Sequence, residues 1–248
     1  MQILLKPRLM SVYKMIPESK TVYDIGTDHA YLPIFLSKKN ICEKIVGCDI
    51  KKGPLLTAKK NLCEERLLNE IELRQGNGFE PIEPCSEDTV IITGMGGKTI
   101  TDILENGKEK AGKCKCIIIQ ANYTVELVRD WLDKNEFSII DEALCKESGR
   151  IYVIIKAASN TEKANHRKLE AGNAFEVEKN VAVYKYIGKK LIEKKDPLLF
   201  EYVERNIRII KNIICGIKKS EKNIELLKNF CEIKDDMENL LCRSNAKK

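Results

Sequence analysis

One ten-residue segment of the chain gathers side chains that could do acid–base or electrostatic chemistry: Asp24-Ile-Gly-Thr-Asp-His-Ala-Tyr-Leu-Pro33. It follows a short β-branched run and precedes an apolar, helix-like run. The segment therefore lies at the carboxyl end of a predicted strand, where open α/β sheets bind ligands. Gly26 is followed by Thr27, Asp28 and His29, so the G-x-G-x-x-G pattern of dinucleotide-binding loops is not met. A carboxylate at Asp28 repels a pyrophosphate and attracts a cation.

Three further groups of polar or glycine residues end the next predicted strands. Asp49 lies 23 residues after Gly26 and is followed by Ile50; an acidic residue at about this spacing binds ribose hydroxyls. A Gly-Asn-Gly turn occupies residues 76–78, where a side-chain amide can meet an adenine edge, and a Gly-Met-Gly-Gly turn occupies residues 94–97. Because parallel strands end at one edge of a sheet, these positions together predict a site for an adenosine-containing cofactor.

The charge of the first loop selects among such cofactors. A methionine-type tail with an ammonium group suits the Asp28 carboxylate, so the loop argues against NAD, FAD and ATP and is compatible with S-adenosylmethionine. Asp28 is the predicted catalytic residue, with a helix N-terminal cap as its alternative role. The predicted cofactor-binding residues are Asp24, Gly26, Thr27, His29, Asp49, Ile50, Gly76, Asn77, Gly78, Gly94, Met95 and Gly96.

The first part of the chain alternates short apolar runs with amphipathic runs, which is typical of a parallel sheet covered by helices on both faces. The predicted strands are residues 21–25, 44–49, 71–74, 89–93 and 116–120. The predicted helices are residues 8–16, 30–38, 53–67, a segment ending near 105, and 125–134. Residues 137–144 and 151–157 are predicted to pair as an antiparallel hairpin, because no helix-like run separates them. A mostly parallel, Rossmann-like α/β sheet that ends in a hairpin is typical of class I methyltransferases.

Charge divides the chain into two unlike parts. Residues 1–155 carry a net charge of −1, whereas residues 156–248 carry +7. In the basic part, apolar residues recur at 4-3 spacing over 199–217 and 226–240, with Asn206 in one slot and a connector at 216–222. This spacing predicts a helical hairpin packed as a short antiparallel coiled coil, although the same heptads could pair two protomers.

Composition excludes several other classes of protein. The chain of 248 residues is 43% hydrophobic and 32% charged, which excludes a disordered protein. No apolar run approaches the length of a transmembrane helix, and the first residues lack the features of a signal peptide, so we expect a cytoplasmic protein. The ten cysteines include no C-x-x-C pair, so we expect reduced thiols and no metal site.

Several motifs together resemble one known family. The stretches RL…MIPE, DIGTDHAYLPIFL, Gly53-Pro54-Leu55, RQGNGFE and ITGMGG, with Gln120-x-Asn122 and Arg129-x-Trp131-Leu132, are similar to those of the bacterial tRNA (adenine(22)-N1)-methyltransferases. The resemblance covers the whole chain. Two positions depart from the family pattern: Asn77 replaces an Asp, and Ala121 replaces a frequent Pro.

The resemblance implies an S-adenosylmethionine-dependent enzyme with tRNA as its substrate. It implies a Rossmann-like catalytic domain, residues 1–157, and a basic helical coiled-coil domain, residues 158–248, which contacts tRNA. We expect a monomer that needs neither a metal nor a membrane. The predicted substrate-binding residues are Tyr31, Gly97, Lys189, Lys190, Arg205 and Arg208.

The chemistry of adenine indicates how such a site would work. Adenine N1 has an in-plane lone pair, so positioning can supply most of the rate. Asp28 could stabilise the cationic product or accept a hydrogen bond from the N6 amino group, and Tyr31 and Met95 could support the flipped base. The alternatives are methylation of another RNA base or a small molecule, and a non-catalytic RNA-binding module with the same fold. By default the basic residues are a solvated helix face.

Overall fold

The computed structural model describes residues 4–160, 181–220 and 223–245. The chain forms two compact units, Met1–Leu169 and Glu170–Lys248. The predicted domain boundary at residues 157 and 158 is close to this division and stays a prediction.

The first unit is an α/β sheet with helices on both faces. Its strands are Ser19–Ile25 (β1), Cys42–Asp49 (β2), Ile71–Gln75 (β3), Thr89–Met95 (β4), Cys116–Ala121 (β5), Phe137–Glu147 (β6) and Arg150–Ser159 (β7). Its helices are Pro7–Tyr13 (α1), Tyr31–Lys39 (α2), Lys52–Glu64 (α3), Gly97–Asn106 (α4), Lys108–Lys113 (α5) and Val125–Lys134 (α6).

The strands pair in the order β3-β2-β1-β4-β5-β7-β6. All neighbours are parallel except β7, which is antiparallel to both β5 and β6. This arrangement confirms the predicted α/β class: a Rossmann-like, mostly parallel sheet that ends in an antiparallel hairpin. The chain order reverses between β1 and β4, so the crevice that binds ligands in open sheets lies beyond the carboxyl ends of these two strands.

The hydrophobic core lies along the central strands, whose apolar side chains are buried on both faces of the sheet. Every residue of β5 is buried, and Val90, Ile91 and Ile92 of β4 have no exposed surface. Strands buried on both faces read as continuous apolar runs, which is why the sequence located them. The buried strands therefore hold the polar residues at their carboxyl ends in fixed positions.

Two features of this unit were not predicted. Helix α5 is short and charged and has no apolar periodicity over its six residues. The hairpin strands continue past their apolar stretches to Glu147 and Arg150 and turn at Ser148 and Gly149, which have φ values of 49° and 76°.

The second unit contains the helices Val181–Ile187 (α7), Lys189–Lys194 (α8), Leu199–Ser220 (α9) and Ile224–Asn245 (α10). Helices α9 and α10 pack on each other, and Lys211 Nζ lies 3.0 Å from Glu238 Oε1 across the pair. The helical hairpin is therefore confirmed, whereas its coiled-coil geometry stays a prediction. Helix α9 continues through Gly216 to Ser220, so most of the predicted connector is helical, and residues 221–222 lie outside the described residues.

The predicted seam of α9 is partly wrong. Ile213 is exposed, and Leu226 on α10 is exposed as well. The buried side chains of α9 are Tyr202, Val203, Ile207, Ile210 and Ile214. Ile213 and Ile214 are adjacent apolar residues, so two different faces of this helix fit the 4-3 spacing. In the second half of the helix, the spacing alone selected the exposed face. Half-buried Asn206 donates a hydrogen bond to the Tyr202 carbonyl at 2.8 Å, so its amide is used within its own helix.

Candidate active site

The loop after β1 is shaped by backbone hydrogen bonds. The N–H groups of Gly26 and Thr27 both donate to the Cys48 carbonyl of β2, at 2.8 and 2.9 Å. Gly26 has a φ of 78°, and Asp28 and Ala30 also have positive φ values, of 47° and 56°. Because backbone groups hold the turn, its side chains remain available for a ligand.

Asp24 is the buried carboxylate beneath this turn. Its residue is 5% exposed, and burial raises the pKa of its carboxyl to about 6, with Asp49 adding to the rise and the Thr27 hydroxyl opposing it. The Thr27 hydroxyl is buried near the Asp24 carboxylate, but it makes no hydrogen bond of normal geometry in the described part of the chain. A buried polar atom without a partner is costly. These two groups therefore fit the polar, cationic end of a ligand.

Asp28 and His29 stand at the surface of the same loop. The Asp28 side chain is 63% exposed, and its Oδ2 lies 3.4 Å from His29 Nε2. The His29 ring stacks on the Tyr31 ring with centroids 5.2 Å apart and planes at 17°. Helix α2 begins at Tyr31 after Ala30, and no side chain caps it. The alternative role of Asp28 as a helix cap is therefore wrong, because its carboxylate binds no amide there.

The ends of β2 and β3 are tied together around Asp49 and Ile50. Gly76 donates its N–H to the Asp49 carbonyl at 3.1 Å, and Gln75 donates its side-chain amide to the Ile50 carbonyl at 3.2 Å. One Asp49 carboxylate oxygen accepts the Lys51 N–H at 2.9 Å. The Ile50 side chain is exposed. An acidic group beside an exposed apolar side chain suits a ribose and the face of a base.

The Gly-Asn-Gly turn borders a cavity of about 460 Å³. Gly78 has a φ of 54°, and a Cβ there would lie 2.9 Å from a methyl of Ile103. The Asn77 N–H donates to Glu80 Oε2 at 3.0 Å, and Asn77 is exposed. The cavity is lined by Asn77, Gly78, Phe79, Glu80, Ile103, Asn106, Gly107, Glu109 and Lys110.

Gly94 is a bulge in β4. The pairing of β4 with β5 shifts register between Thr93 and Met95, and Gly94 has a φ of 81°. Side-chain amides replace the lost ladder bonds. The Gly94 N–H donates to Gln120 Oε1 at 3.2 Å, and Asn122 Nδ2 donates to the Gly94 carbonyl at 2.7 Å. Bulges are frequent beside active sites, where they redirect the chain.

Two residues that complete this network, Gln120 and Arg8, occur in the quoted family motifs, but sequence reasoning gave neither of them a role in the site. Gln120 is fully buried in an otherwise apolar strand, and Arg8 Nη1 donates to Gln120 Oε1 at 2.6 Å. Arg8 is held in turn, because its N–H donates to Glu147 Oε2 at 2.9 Å and its guanidinium lies 5.8 Å from the Tyr152 ring centroid. A polar residue inside a buried strand was the available signal for Gln120, whereas Arg8 had no local signal.

The remaining residues of the turn make close contacts. Met95 lies over Gly26, where any Cβ would collide with its methyl group, so the structure brings the β1 and β4 loops together. A Cβ on Gly96 would lie 2.6 Å from the Tyr123 ring, and a Cβ on Gly97 would collide with the Thr124 carbonyl. Gly97 therefore requires glycine, because the clashing atom belongs to the backbone, whereas at Gly96 the exposed Tyr123 side chain would have to move.

The basic residues predicted for substrate contact lie in the second unit. Lys189 and Lys190 both pair with Glu193, at 3.9 and 2.9 Å. Arg208 is exposed and donates through Nε to the Glu204 carbonyl at 3.4 Å, while Arg205 is half-buried. The two lysines share an acidic partner, so Arg208 presents the more accessible charge.

Two kinds of feature are absent from the described residues. In residues 4–160, 181–220 and 223–245, no helix is long and apolar enough to cross a membrane. In the same ranges, no cluster of three or more His, Cys, Asp or Glu side chains could hold a metal ion.

Known proteins resemble this chain in sequence. A family model described as a methyltransferase domain matches residues 5–155. The tRNA (adenine(22)-N(1))-methyltransferase of Bacillus subtilis is 32% identical over 163 residues, which are 66% of this chain and 68% of the relative. The chain belongs to this methyltransferase family. Residues 5–155 include the segment that carries Asp28 and the three further groups at strand ends.

Solved structures of family members share the fold over nearly their whole length. The crystal structure of the B. subtilis m1A22 tRNA methyltransferase TrmK has a TM-score of 0.77 at 29% identity, covering 98% of this chain and 99% of that one. The structure of M. capricolum TrmK in complex with S-adenosyl-homocysteine has a TM-score of 0.71 at 29% identity, covering 97% of each chain.

Proposed function

We propose that this methyltransferase transfers a methyl group from S-adenosylmethionine to N1 of adenine 22 in tRNA. The observation that carries the proposal is the loop after β1. Buried Asp24, the buried Thr27 hydroxyl and exposed Asp28 there surround one glycine turn at the point where the strand order reverses. The names of its family relatives supply the substrate.

The cofactor is assigned to the ends of β1, β2 and β3. Asp24, Thr27 and His29 would surround its amino-acid end, Asp49 would accept hydrogen bonds from the ribose, and Ile50 would pack on adenine. Asn77 would meet the adenine edge through its amide, a group that donates and accepts as the family's carboxylate cannot. When bound, S-adenosylmethionine supplies an electrophilic methyl group. The supporting turns are Gly26, Gly76, Gly78, Gly94, Met95 and Gly96.

Asp28 is assigned the catalytic role. Its carboxylate is exposed, caps no helix and contacts only His29 within the described residues. It can therefore accept a hydrogen bond from the N6 amino group and hold the ring so that N1 faces the methyl carbon. Methylation gives the ring a positive charge, which a fixed carboxylate stabilises as it develops. His29 orients Asp28 and stacks on Tyr31.

The tRNA is assigned to Tyr31 and Gly97 at the catalytic loops and to Lys189, Lys190, Arg205 and Arg208 in the basic unit. Cationic side chains bind phosphates without regard to sequence, and such binding weakens steeply with salt. We expect the protein to act as a cytoplasmic monomer, with its catalytic and basic domains dividing at residues 157 and 158. Sedimentation at micromolar concentration tests the monomer.

The test uses unmodified tRNA transcripts with adenine at position 22 and S-adenosylmethionine labelled in its methyl group. Digestion of the product should yield labelled 1-methyladenosine. A transcript with guanine at that position should yield none. Label in another nucleoside would support the alternative of a different base. Cofactor binding without label in any tRNA would support a non-catalytic module.

A further inference from the structure

We propose that Tyr123 is the aromatic surface on which the target adenine stacks during methyl transfer. This inference rests on the proposed function and adds a residue that contacts the substrate. Tyr123 is 65% exposed, the most exposed aromatic side chain of the described residues. Its ring lies against Gly96, 2.6 Å from the position of a Cβ on that glycine. An exposed aromatic ring therefore covers the backbone of the turn that ends β4.

The strand order places Tyr123 on the substrate side of the crevice. The residues assigned to the cofactor follow β1, β2 and β3, which form one half of the sheet. Tyr123 follows β5, which lies on the other side of β4. Asp28 follows β1, next to β4. A base held between Asp28 and Tyr123 therefore lies over the end of β4, beside the cofactor.

Tyr123 is held in place by its backbone. Its carbonyl accepts the Gly97 N–H at 3.0 Å, and the preceding residue, Asn122, donates its N–H to the Met95 carbonyl at 2.8 Å. The Asn122 side chain also binds the Gly94 carbonyl. The loop that carries the ring is thereby joined to the β4 turn at Gly94, Met95 and Gly97. Such anchoring lowers the entropy that is lost when a base stacks on the ring.

The other exposed aromatic residue of this site is less suited to the role. Tyr31 already stacks on His29, so one of its faces is taken. An aromatic face also suits the chemistry, because the methylated adenine is cationic and the face of a tyrosine ring attracts cations. Tyr123 should therefore favour the transition state as well as the bound base.

The test compares Tyr123→Phe and Tyr123→Leu by single-turnover methyl transfer at subsaturating tRNA. Leucine keeps apolar volume and removes the π face, whereas phenylalanine keeps the face. We expect Tyr123→Phe to stay close to wild type and Tyr123→Leu to lose about 5- to 150-fold in kcat/KM for tRNA, the range of base–aromatic stacking. The dissociation constant for S-adenosylhomocysteine should change little in both.

The control variant is Leu68→Ala, which removes an exposed apolar side chain at the opposite edge of the sheet, before β3. It should match wild type. Equal rates for Tyr123→Leu and wild type would overturn the stacking role alone, and so would a loss confined to cofactor binding. A wild-type protein that makes no 1-methyladenosine would overturn the proposed function itself, and the role of Tyr123 with it.

Discussion

The loops that follow β1 and β4 lie side by side, and both turn at a glycine with left-handed φ, 78° at Gly26 and 81° at Gly94. They differ in what satisfies their backbone groups. The Gly26 turn uses a backbone carbonyl of the neighbouring strand. The Gly94 bulge uses the side-chain amides of Gln120 and Asn122.

This difference separates two tasks. The Asn61 side chain of α3 donates to the His29 carbonyl of the β1 loop at 2.8 Å. The loop's own side chains form no such bond in the described residues, so its two carboxylates and the Thr27 hydroxyl remain for a cationic ligand. In the β4 loop, the side chains of Gln120 and Asn122 fix a closely packed backbone. This loop therefore contributes a well-defined surface rather than charge. Charge on one side of the crevice and shape on the other suit a sulfonium cofactor and a planar base, respectively.

The largest effect is expected from removing a charge from the β1 loop. Asp28→Ala should lower methyl transfer by at least about 100-fold, the effect of losing one preorganised electrostatic group. The protein should still fold, because the side chain is exposed and caps nothing. It should lose a little stability, because alanine tolerates the left-handed φ of 47° at this position less well than aspartate. Turnover and thermal unfolding are measured together. Asp102→Ala, which removes an exposed carboxylate from α4, is the matched control and should keep turnover; near-normal turnover of Asp28→Ala would contradict the account.

The β4 loop should instead be sensitive to added side-chain volume. Gly97→Ala places a Cβ against the Thr124 carbonyl, a backbone atom that cannot move away cheaply. The free energy of unfolding should fall by about 3 kcal/mol, as measured by urea denaturation. Gly53→Ala is the control, since a Cβ there meets nothing within 4 Å. It should be neutral or stabilising by up to about 1 kcal/mol.

A third prediction concerns the cost of the buried carboxylate. The pKa of Asp24 is raised from 3.8 to about 6 in the folded protein, so the folded state holds its proton longer than the unfolded state. The stability contributed by this group therefore falls as pH rises from about 4 to about 6 and stays low above that range. Asp24→Asn should be more stable than wild type by about 3 kcal/mol at pH 8.

That gain should shrink as the pH falls towards 4, because wild-type Asp24 is then protonated too. Cofactor affinity should move in the opposite direction, since asparagine has no charge for the ammonium group. A variant that is destabilised at pH 8, or one with unchanged affinity for S-adenosylmethionine, would be inconsistent with this role.

The smallest effect is expected in the basic unit. Arg208→Gln should weaken tRNA binding only a few-fold at low salt, but it should reduce the slope of log affinity against log salt by about 1. Binding is measured between low and moderate salt. Lys228→Gln on α10 is the control, because Lys228 lies near Glu232 and outside the assigned set. Identical salt slopes for wild type and Arg208→Gln would remove Arg208 from the interface.

The sequence located the parts of the site that depend on local pattern. Asp24, Gly26 and Asp49 were found because a buried parallel strand reads as an apolar run and ends where the run stops. It could not find the contact between Arg8 and Gln120, whose partners are 112 residues apart. Nor could it choose between Ile213 and Ile214 on α9, because adjacent apolar residues support two phases of the same helix.

The most direct test of the division between the loops is a crystal structure of the protein with S-adenosylhomocysteine. The account predicts its amino-acid end at the loop of Gly26 to His29, its ribose on Asp49 and its adenine beside Ile50 and Asn77. Met95 should be displaced from Gly26, and Tyr123 should stay uncovered. S-adenosylhomocysteine stacked on Tyr123, with no hydrogen bond to the β1 loop, would contradict this division.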